Sequence, residues 1–362
     1  TGFSQAGWTA IGLILGTYLN WKIVAKRLRH YTEVADNAIT VPDFFSNRFK
    51  DDKKILSSIS AVMILIFFTV YTASGFAACG TLFNSVFGLN YQKSMIVCAI
   101  VIVLYTSMGG FLAASTTDLI QGLLMSFAIV IVLIVGVVNA GGVANVIAHG
   151  QAMEGFFDVM KYHDPATGGA VSQGVIPILS GLAWGLGYFG MPHIIIRFMS
   201  IKSQKDLKKS AKIGITWTLL IVFFATLIGV IGRLFLGFDE SINENSLVFI
   251  QIVRKIFPGV ISGILLSAVL AASMSTADSQ LLAASSAFSS DVYKPVIRKG
   301  KASDKEMMWT GRIVVLGIAV AALIIASNPN AGSIMALVSN AWGYLWSCLW
   351  TCNHAQPLLE AL

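Results

Sequence analysis

The sequence contains few charged residues and distributes them unevenly. Only 12% of its 362 residues are Asp, Glu, Lys or Arg, roughly half of the share that a soluble domain carries. Long stretches have almost no charge, and the charged residues collect in short segments between them. This scarcity argues against a large soluble domain and predicts a polytopic membrane protein.

Cysteine and histidine are also scarce, and they form no metal-binding pattern. The four cysteines lack zinc-ligand spacing, although Cys348 and Cys352 lie one helical turn apart, and the five histidines are scattered. The sequence has no phosphate-binding loop, nucleophile elbow or zinc motif. These absences predict that the protein is not an enzyme. Basic residues lie between the apolar stretches, which argues against a nucleic-acid surface.

Hydrophobic residues, in contrast, make up 56% of the sequence. Each apolar stretch that crosses about 30 Å of hydrocarbon is expected to be a helix, because backbone groups in lipid need internal partners. Nine stretches are long enough: 5–23, 55–87, 91–109, 113–139, 173–199, 210–236, 258–288, 309–327 and 331–352. Residues 246–257 are predicted to form an amphipathic external helix. The predicted fold is therefore all-α.

The gaps between the nine stretches alternate in charge. Twenty Lys and Arg residues lie in the odd-numbered gaps or in the ends of the stretches beside them, and five lie in or beside the even-numbered gaps. Cytoplasmic loops are enriched in Lys and Arg, so Thr1 is predicted to lie outside the cell membrane and the last span to end in the cytoplasm. An outside start without a signal peptide predicts that at least one span precedes Thr1 in a longer protein.

The fifth stretch contains residues that interrupt a helix. Its centre, 184–192, reads WGLGYFGMP, with three glycines and one proline in nine residues. In membranes, broken helices occur where they line a cavity, and their free carbonyls and helix ends hold ions or solutes in transporters. Trp184 and Tyr188 would then form an apolar wall beside the break. A kinked helix used only for packing is the alternative.

The seventh stretch carries hydroxyl groups on one helical face. Ala272, Ser275 and Thr276 are spaced i, i+3 and i+4. Two hydroxyls and a carbonyl could supply three of the several oxygens that a hard monovalent cation needs. The same pattern also serves ordinary helix packing in lipid.

Three further polar positions lie within apolar stretches. Asp118 and Asp278 are acids, which are costly at membrane depth and often mark ion or proton paths. Asp278 and Ser279 follow the hydroxyl-bearing turn, so a second cation or proton site there is plausible. Tyr71 in the second stretch could donate a hydrogen bond to a solute or to a neighbouring carbonyl.

Five ordered strings resemble the sodium/solute symporter family, and are most similar to its sodium/proline branch. They are WKIVAKRLR, ITVPDFFSNRF, YTSMGGFLAASTTD, WGLGYFGMPHIIIRFM and LSAVLAASMSTADSQLLAASSAFSSDVYK. The resemblance covers about 5–346 and implies a leucine-transporter-type fold of two inverted five-helix repeats. The family's first core helix would be absent. Residues 1–346 would be a truncated transporter domain and 347–362 a divergent tail.

The resemblance also implies roles for individual residues. The sodium site would use Ala272, Ser275 and Thr276, and Asp118, Asp278 and Ser279 would form a possible second cation or proton site. The solute cavity would be lined by Tyr71, Trp184, Gly187, Tyr188 and Pro192. Two departures from the family pattern are Asp278 in place of a hydroxyl residue and Met191 in place of a glutamine.

These observations together predict sodium-coupled symport of a small organic solute, with Na⁺ as the coupling ion and proline as the first candidate. Pantothenate, sugars and sialic acid remain alternatives within the same class. A transporter-like membrane sensor is a second class of function, which a long soluble domain after the last span would favour.

Overall fold

The computed structural model describes residues 2–34, 37–164, 166–236, 247–328, 332–345 and 347, without the side chains of 234–236. The first half of the chain contains six α-helices: α1 Phe3–Leu19, α2 Lys26–Val34, α3 Val41–Arg48, α4 Ile55–Phe87, α5 Tyr91–Asn139 and α6 Val143–Ala152. A π-helical turn, Asn20–Ala25, connects α1 to α2. A short antiparallel hairpin follows, in which β1 Lys161–His163 pairs with β2 Ala170–Ser172.

In the second half, helices are the only regular secondary structure of the described residues. They are α7 Val175–Ala183, α8 Pro192–Met199, α9 Gln204–Leu236, α10 Val248–Ile256, α11 Gly259–Phe288, α12 Asp304–Ser327 and α13 Ile334–Leu345. A 3-10 segment, Trp184–Phe189, precedes α8, and a π-helical segment, Ser289–Ile297, continues α11. The all-α prediction therefore holds apart from the hairpin, whose strands lie in the gap between the fourth and fifth apolar stretches.

Helix ends follow local sequence signals. Thr40 caps α3 by accepting a hydrogen bond from the Asp43 backbone N–H at 3.2 Å, with Pro42 in the first turn. Ser303 accepts in the same way from the Glu306 N–H at the start of α12. The long helix α4 ends at Gly88, whose φ of 66° is the left-handed conformation that glycine adopts without strain.

Five helices in the described residues are long and apolar enough to cross a membrane, or six if the interrupted pair around α7 and α8 is counted as one span. The protein is thus a multi-pass membrane protein, but the predicted count of nine spans is not confirmed. The helix α5 contains two helices joined at Gly110, whose φ and ψ of 63° and −168° are non-helical. This break coincides with the short gap between the predicted stretches 91–109 and 113–139. The last helix, α13, has only twelve residues.

The chain divides into two compact units. The first comprises residues up to 19, 122–186 and 211–269, and the second comprises 20–121, 187–210 and the chain from 270 onward. In the first unit, α1 packs against α7 through small residues: a side chain at Gly12 would overlap the backbone of Gly181 and Leu182. The second unit holds the larger hydrophobic core, in which Phe68, Phe76 and Leu281 are completely buried.

Candidate functional site

The fifth apolar stretch is interrupted, as its glycines and proline predict. Helix α7 ends at Ala183, and α8 begins at Pro192 after the 3-10 segment. Proline is tolerated in the first turn of a helix, because the N–H that it lacks has no helical partner there. Met191, just before it, has an extended backbone, with φ of −79° and ψ of 110°. An interruption of this kind frees backbone carbonyls for other partners.

One of these carbonyls, that of Tyr188, has a side-chain partner. The Asn20 amide donates from Nδ2 to the Tyr188 carbonyl oxygen at 2.9 Å. Asn20 is only 2% exposed, and its Oδ1 atom is buried with no hydrogen-bond partner in the described part of the chain. Reversing the amide would place two oxygens against each other, so the hydrogen bond determines its orientation. The interruption is thus stabilised by a residue from the π-helical turn after α1.

Three of the predicted solute-site residues contact one indole ring. The Tyr188 ring meets Trp342 of α13 edge-on, with centroids 5.2 Å apart and planes at 69°. Gly187 lies so close to the same ring that an added Cβ would overlap it. The Tyr71 hydroxyl lies beside the Trp342 indole. Trp342 therefore joins α4, α13 and the interrupted segment.

The remaining predicted solute residues are placed differently. Pro192 is buried at the start of α8, and the next residue, His193, packs its ring on Tyr71 at a centroid distance of 6.3 Å and on Phe68 at 5.5 Å. Trp184 belongs to the first unit, where its side chain is half-buried. Four of the five predicted residues thus lie in the second unit.

The predicted sodium ligands lie together on α11. Ser275 Oγ donates to the Ala272 carbonyl at 3.2 Å, and Thr276 Oγ1 donates to the same oxygen at 2.9 Å. Each hydroxyl oxygen keeps lone pairs that a cation can use. The donor set is neutral and composed only of oxygen, which suits a hard monovalent cation and not a soft transition metal. Among the described residues, no group of three or more His, Cys, Asp or Glu side chains could hold a metal.

Asp118 forms an ion pair that the sequence did not predict. Arg197 of α8 donates from Nη2 to Asp118 Oδ2 at 2.5 Å and to Ser279 Oγ at 2.9 Å, and Ser279 Oγ also donates to Asp118 at 3.1 Å. Arg197 Nη1 donates to the His193 carbonyl. The structure therefore places Asp118 and Ser279 together and adds the Arg197 guanidinium to the same group.

Asp278 precedes Ser279 on α11 and has a different partner. Its side chain is completely buried, and Tyr105 of α5 places its hydroxyl 3.0 Å from Asp278 Oδ2 and 3.2 Å from the Met274 carbonyl. A carbonyl only accepts hydrogen bonds, and a phenol has one hydrogen, so Tyr105 cannot donate to both oxygens at once. Asp278 Oδ1 has no hydrogen-bond partner in the described residues.

Sequence reasoning overlooked Asn20, Tyr105, Arg197 and Trp342. Arg197 lies in the last turn of α8, within the fifth apolar stretch. A usable signal existed, since an intramembrane acid such as Asp118 needs a counter-charge. No local pattern identifies the others as partners of the site, because their contacts join segments that are far apart in the chain.

Comparison with known proteins gives relatives that cover nearly the whole chain. The osmoregulated proline transporter OpuE of Bacillus subtilis (strain 168) is 45% identical over 344 residues, covering 94% of this chain and 67% of the relative. The high-affinity proline transporter PutP of the same organism is 42% identical over 344 residues, covering 94% of this chain and 70% of the relative. A sodium/proline symporter of Staphylococcus aureus is 44% identical over 346 residues, covering 94% of this chain and 65% of the relative. The chain spans about two thirds of the length of these relatives.

A solved structure shares the fold. It is the substrate-bound, outward-open state of a Na⁺-coupled sialic acid symporter, with a TM-score of 0.66 and 17% identity over 97% of this chain and 78% of that chain. The model of the sodium:solute symporter family matches residues 1–352. With this match over nearly all of its length, the chain belongs to the sodium:solute symporter family.

Proposed function

We propose that this chain forms the transport domain of a secondary active transporter that couples sodium entry to the uptake of proline. The observation that carries the proposal is the 42–45% identity to three proline transporters over 94% of the chain. In such a symporter the bound ion favours solute binding, and linkage requires that the solute favours ion binding equally.

The coupling ion in this proposal is Na⁺, held in part by Ala272, Ser275 and Thr276. Their convergence on the Ala272 carbonyl supports this role, because both hydroxyl oxygens lie within hydrogen-bonding distance of that carbonyl oxygen. Asp118, Asp278 and Ser279 form the proposed second cation or proton site. Arg197 pairs with Asp118, whereas Asp278 is a buried acid without a basic partner in the described residues, so one additional cation or proton there would balance its charge.

Tyr71, Trp184, Gly187, Tyr188 and Pro192 are the proposed solute-site residues. The contacts of Tyr71, Gly187 and Tyr188 with Trp342 support an aromatic site of defined shape beside the interruption between α7 and α8. A small apolar ring with a charged carboxylate and amine suits such a site. We further propose the two inverted five-helix repeats of leucine-transporter-type carriers, an outside N-terminus and a cytoplasmic C-terminus. The C-terminal tail, apart from Ser347, lies outside the described residues.

Uptake of labelled proline into proteoliposomes tests the proposal. We expect uptake to rise with an inward sodium gradient and to collapse when the gradient is dissipated by an ionophore. Proline should compete with the label, whereas pantothenate, glucose and sialic acid in equal excess should not. Empty liposomes prepared in parallel are the control for leakage.

Three results would contradict the proposal. Uptake that does not depend on sodium would show that Na⁺ is not the coupling ion. Competition by pantothenate or a sugar, but not by proline, would show that proline is not the solute. Binding of proline without any uptake would favour a sensor.

A further inference from the structure

A cavity of about 500 Å³ lies within the second unit. It is enclosed by α2, the turn at 37–39, the part of α5 that follows the Gly110 break, α8, and α11 with its π-helical continuation. This volume falls in the range of small-molecule sites, which is roughly 300–1,000 Å³. Of the residues proposed above for the cation and solute sites, only Ser279 lines it.

The lining of this cavity is rich in hydrogen-bond donors. Arg29 and Arg197 line it together with six serines: Ser115, Ser200, Ser279, Ser285, Ser286 and Ser289. Among the described residues, no aspartate or glutamate lines it. Two guanidinium groups with hydroxyls and no lining carboxylate favour a ligand that accepts hydrogen bonds and carries negative charge.

Arg29 lines this cavity with a guanidinium that an ion pair holds in place. Its Nη2 pairs with Glu33 at 2.9 Å, one helical turn away on α2, which positions the guanidinium. Its Nε atom is buried with no hydrogen-bond partner in the described part of the protein, and only 13% of the side chain is exposed. Because Nε is not accessible from the cavity, Arg29 would bind a ligand there through its terminal nitrogens.

Arg197 is held in an equivalent way on another wall. Asp118, Ser279 and the His193 carbonyl occupy its two terminal nitrogens, yet 39% of its side chain stays exposed. Both arginines are therefore fixed by protein acids that do not themselves line the cavity. Fixed guanidinium groups need little ordering when an anion arrives.

His193 connects this cavity to the aromatic residues. Its ring packs on Tyr71 and Phe68, and the same residue lines the cavity. A solute that leaves the Tyr71 region past His193 would enter the cavity directly. His193 therefore contacts the Tyr71 ring and also borders the cavity.

We propose that this cavity is a second binding station that recognises a small carboxylate, with Arg29 as its principal anchor. Its identification with the carboxylate of the transported solute rests on the proposed function. A free carboxylate anion has the same chemistry, and the two sources are separated by the experiment below.

Charge-selective thiol labelling tests the station without requiring transport. Ser286→Cys is introduced after the four native cysteines are replaced by alanine, and it is labelled with thiosulfonates bearing either a sulfonate or a trimethylammonium group. Rates are normalised to those of a free thiol in solution. We expect the anionic reagent to be favoured roughly tenfold, and Arg29→Gln to remove that preference.

Two matched variants separate charge from folding. Arg29→Lys keeps the positive charge and should keep the preference, and Arg298→Gln removes a paired arginine that does not line the cavity and should also keep it. Equal rates for the two reagents, or a preference unchanged by Arg29→Gln, would overturn the proposal. If Ser286→Cys does not react, Ser115→Cys on the α5 wall is labelled, and failure of both overturns it as well.

Protection from labelling identifies the ligand. Proline and acetate should both slow the reaction of Ser286→Cys, whereas prolinamide, which lacks the carboxylate, should not. Protection by acetate alone would support a station for free carboxylates, and equal protection by prolinamide would overturn the proposal. If proline is taken up with normal sodium dependence but does not protect Ser286→Cys from labelling, only the station is refuted. If proline protects Ser286→Cys but is not taken up, only the proposed function is refuted.

Discussion

Arg197 donates to Asp118 across 2.5 Å, although 79 positions separate the two residues in the chain. The pair joins α8, which follows the interrupted segment, to the part of α5 that follows Gly110. Ser279 on α11 bonds to both partners. Three helices of the second unit therefore meet at one ion pair.

We expect the Arg197–Asp118 pair to show strong coupling in stability. Arg197→Gln leaves a carboxylate without its counter-charge, and Asp118→Asn leaves a guanidinium without its own, so each single variant should be destabilised. The double variant should be less destabilised than the sum, with a coupling of about 1–2 kcal/mol because Arg197 is partly exposed. Thermal unfolding of the purified protein in detergent measures the cycle. Additive effects would show that the pair contributes nothing beyond packing.

Thr276→Val should weaken sodium dependence specifically. Valine keeps the shape of the side chain but removes one oxygen of the proposed sodium site, a loss of about 1–2 kcal/mol. The sodium concentration for half-maximal proline uptake should rise roughly tenfold, with a smaller change in maximal rate. Ser267→Ala on the same helix is the control, since its hydroxyl bonds only to the Ile264 carbonyl outside the cluster. Equal effects of the two substitutions would assign the Thr276 hydroxyl to helix packing.

Gly187→Ala should disturb the aromatic site through Trp342. The added methyl group would overlap the indole ring, and overpacking of this kind costs about 1–3 kcal/mol. Both the thermal midpoint and the apparent affinity for proline should fall. Gly317→Ala in α12 is the matched control, because no atom lies within 4 Å of its added Cβ, and it should be neutral or slightly stabilising. Trp342→Leu combined with Gly187→Ala should recover part of the lost stability.

Asn20→Leu should show how much the interrupted segment depends on its side-chain partner. Leucine removes the part-buried hydrogen bond from the Asn20 amide to the Tyr188 carbonyl, which costs about 0.5–1.5 kcal/mol. The exposed control is Asn84→Leu, whose amide bonds to the Leu89 carbonyl at 2.8 Å and can be replaced there by water. We expect a lowered thermal midpoint and proline uptake for Asn20→Leu only. Similar small effects of both would show that the carbonyl finds another partner.

The helices were largely predictable because their causes are local. The length of the second apolar stretch predicted α4 with the bounds that it has, Ile55–Phe87. The glycines and Pro192 of the fifth stretch predicted the interruption before α8. The spacing of Ser275 and Thr276 on one helix likewise placed their hydroxyls beside the Ala272 carbonyl. The hairpin at β1 and β2 escaped prediction, since three-residue strands carry too short a pattern to distinguish from a loop.

By itself, the sequence determined that the chain is helical and spans a membrane, where one helix breaks, and which hydroxyls share a helical face. These features were predictable because backbone hydrogen bonding in lipid and helical periodicity act within one segment. Only the tertiary structure decided that Arg197 neutralises Asp118, that Tyr105 contacts Asp278 and that Asn20 binds the freed Tyr188 carbonyl. Those contacts join distant segments, and their energies depend on distances and desolvation that no local spacing encodes.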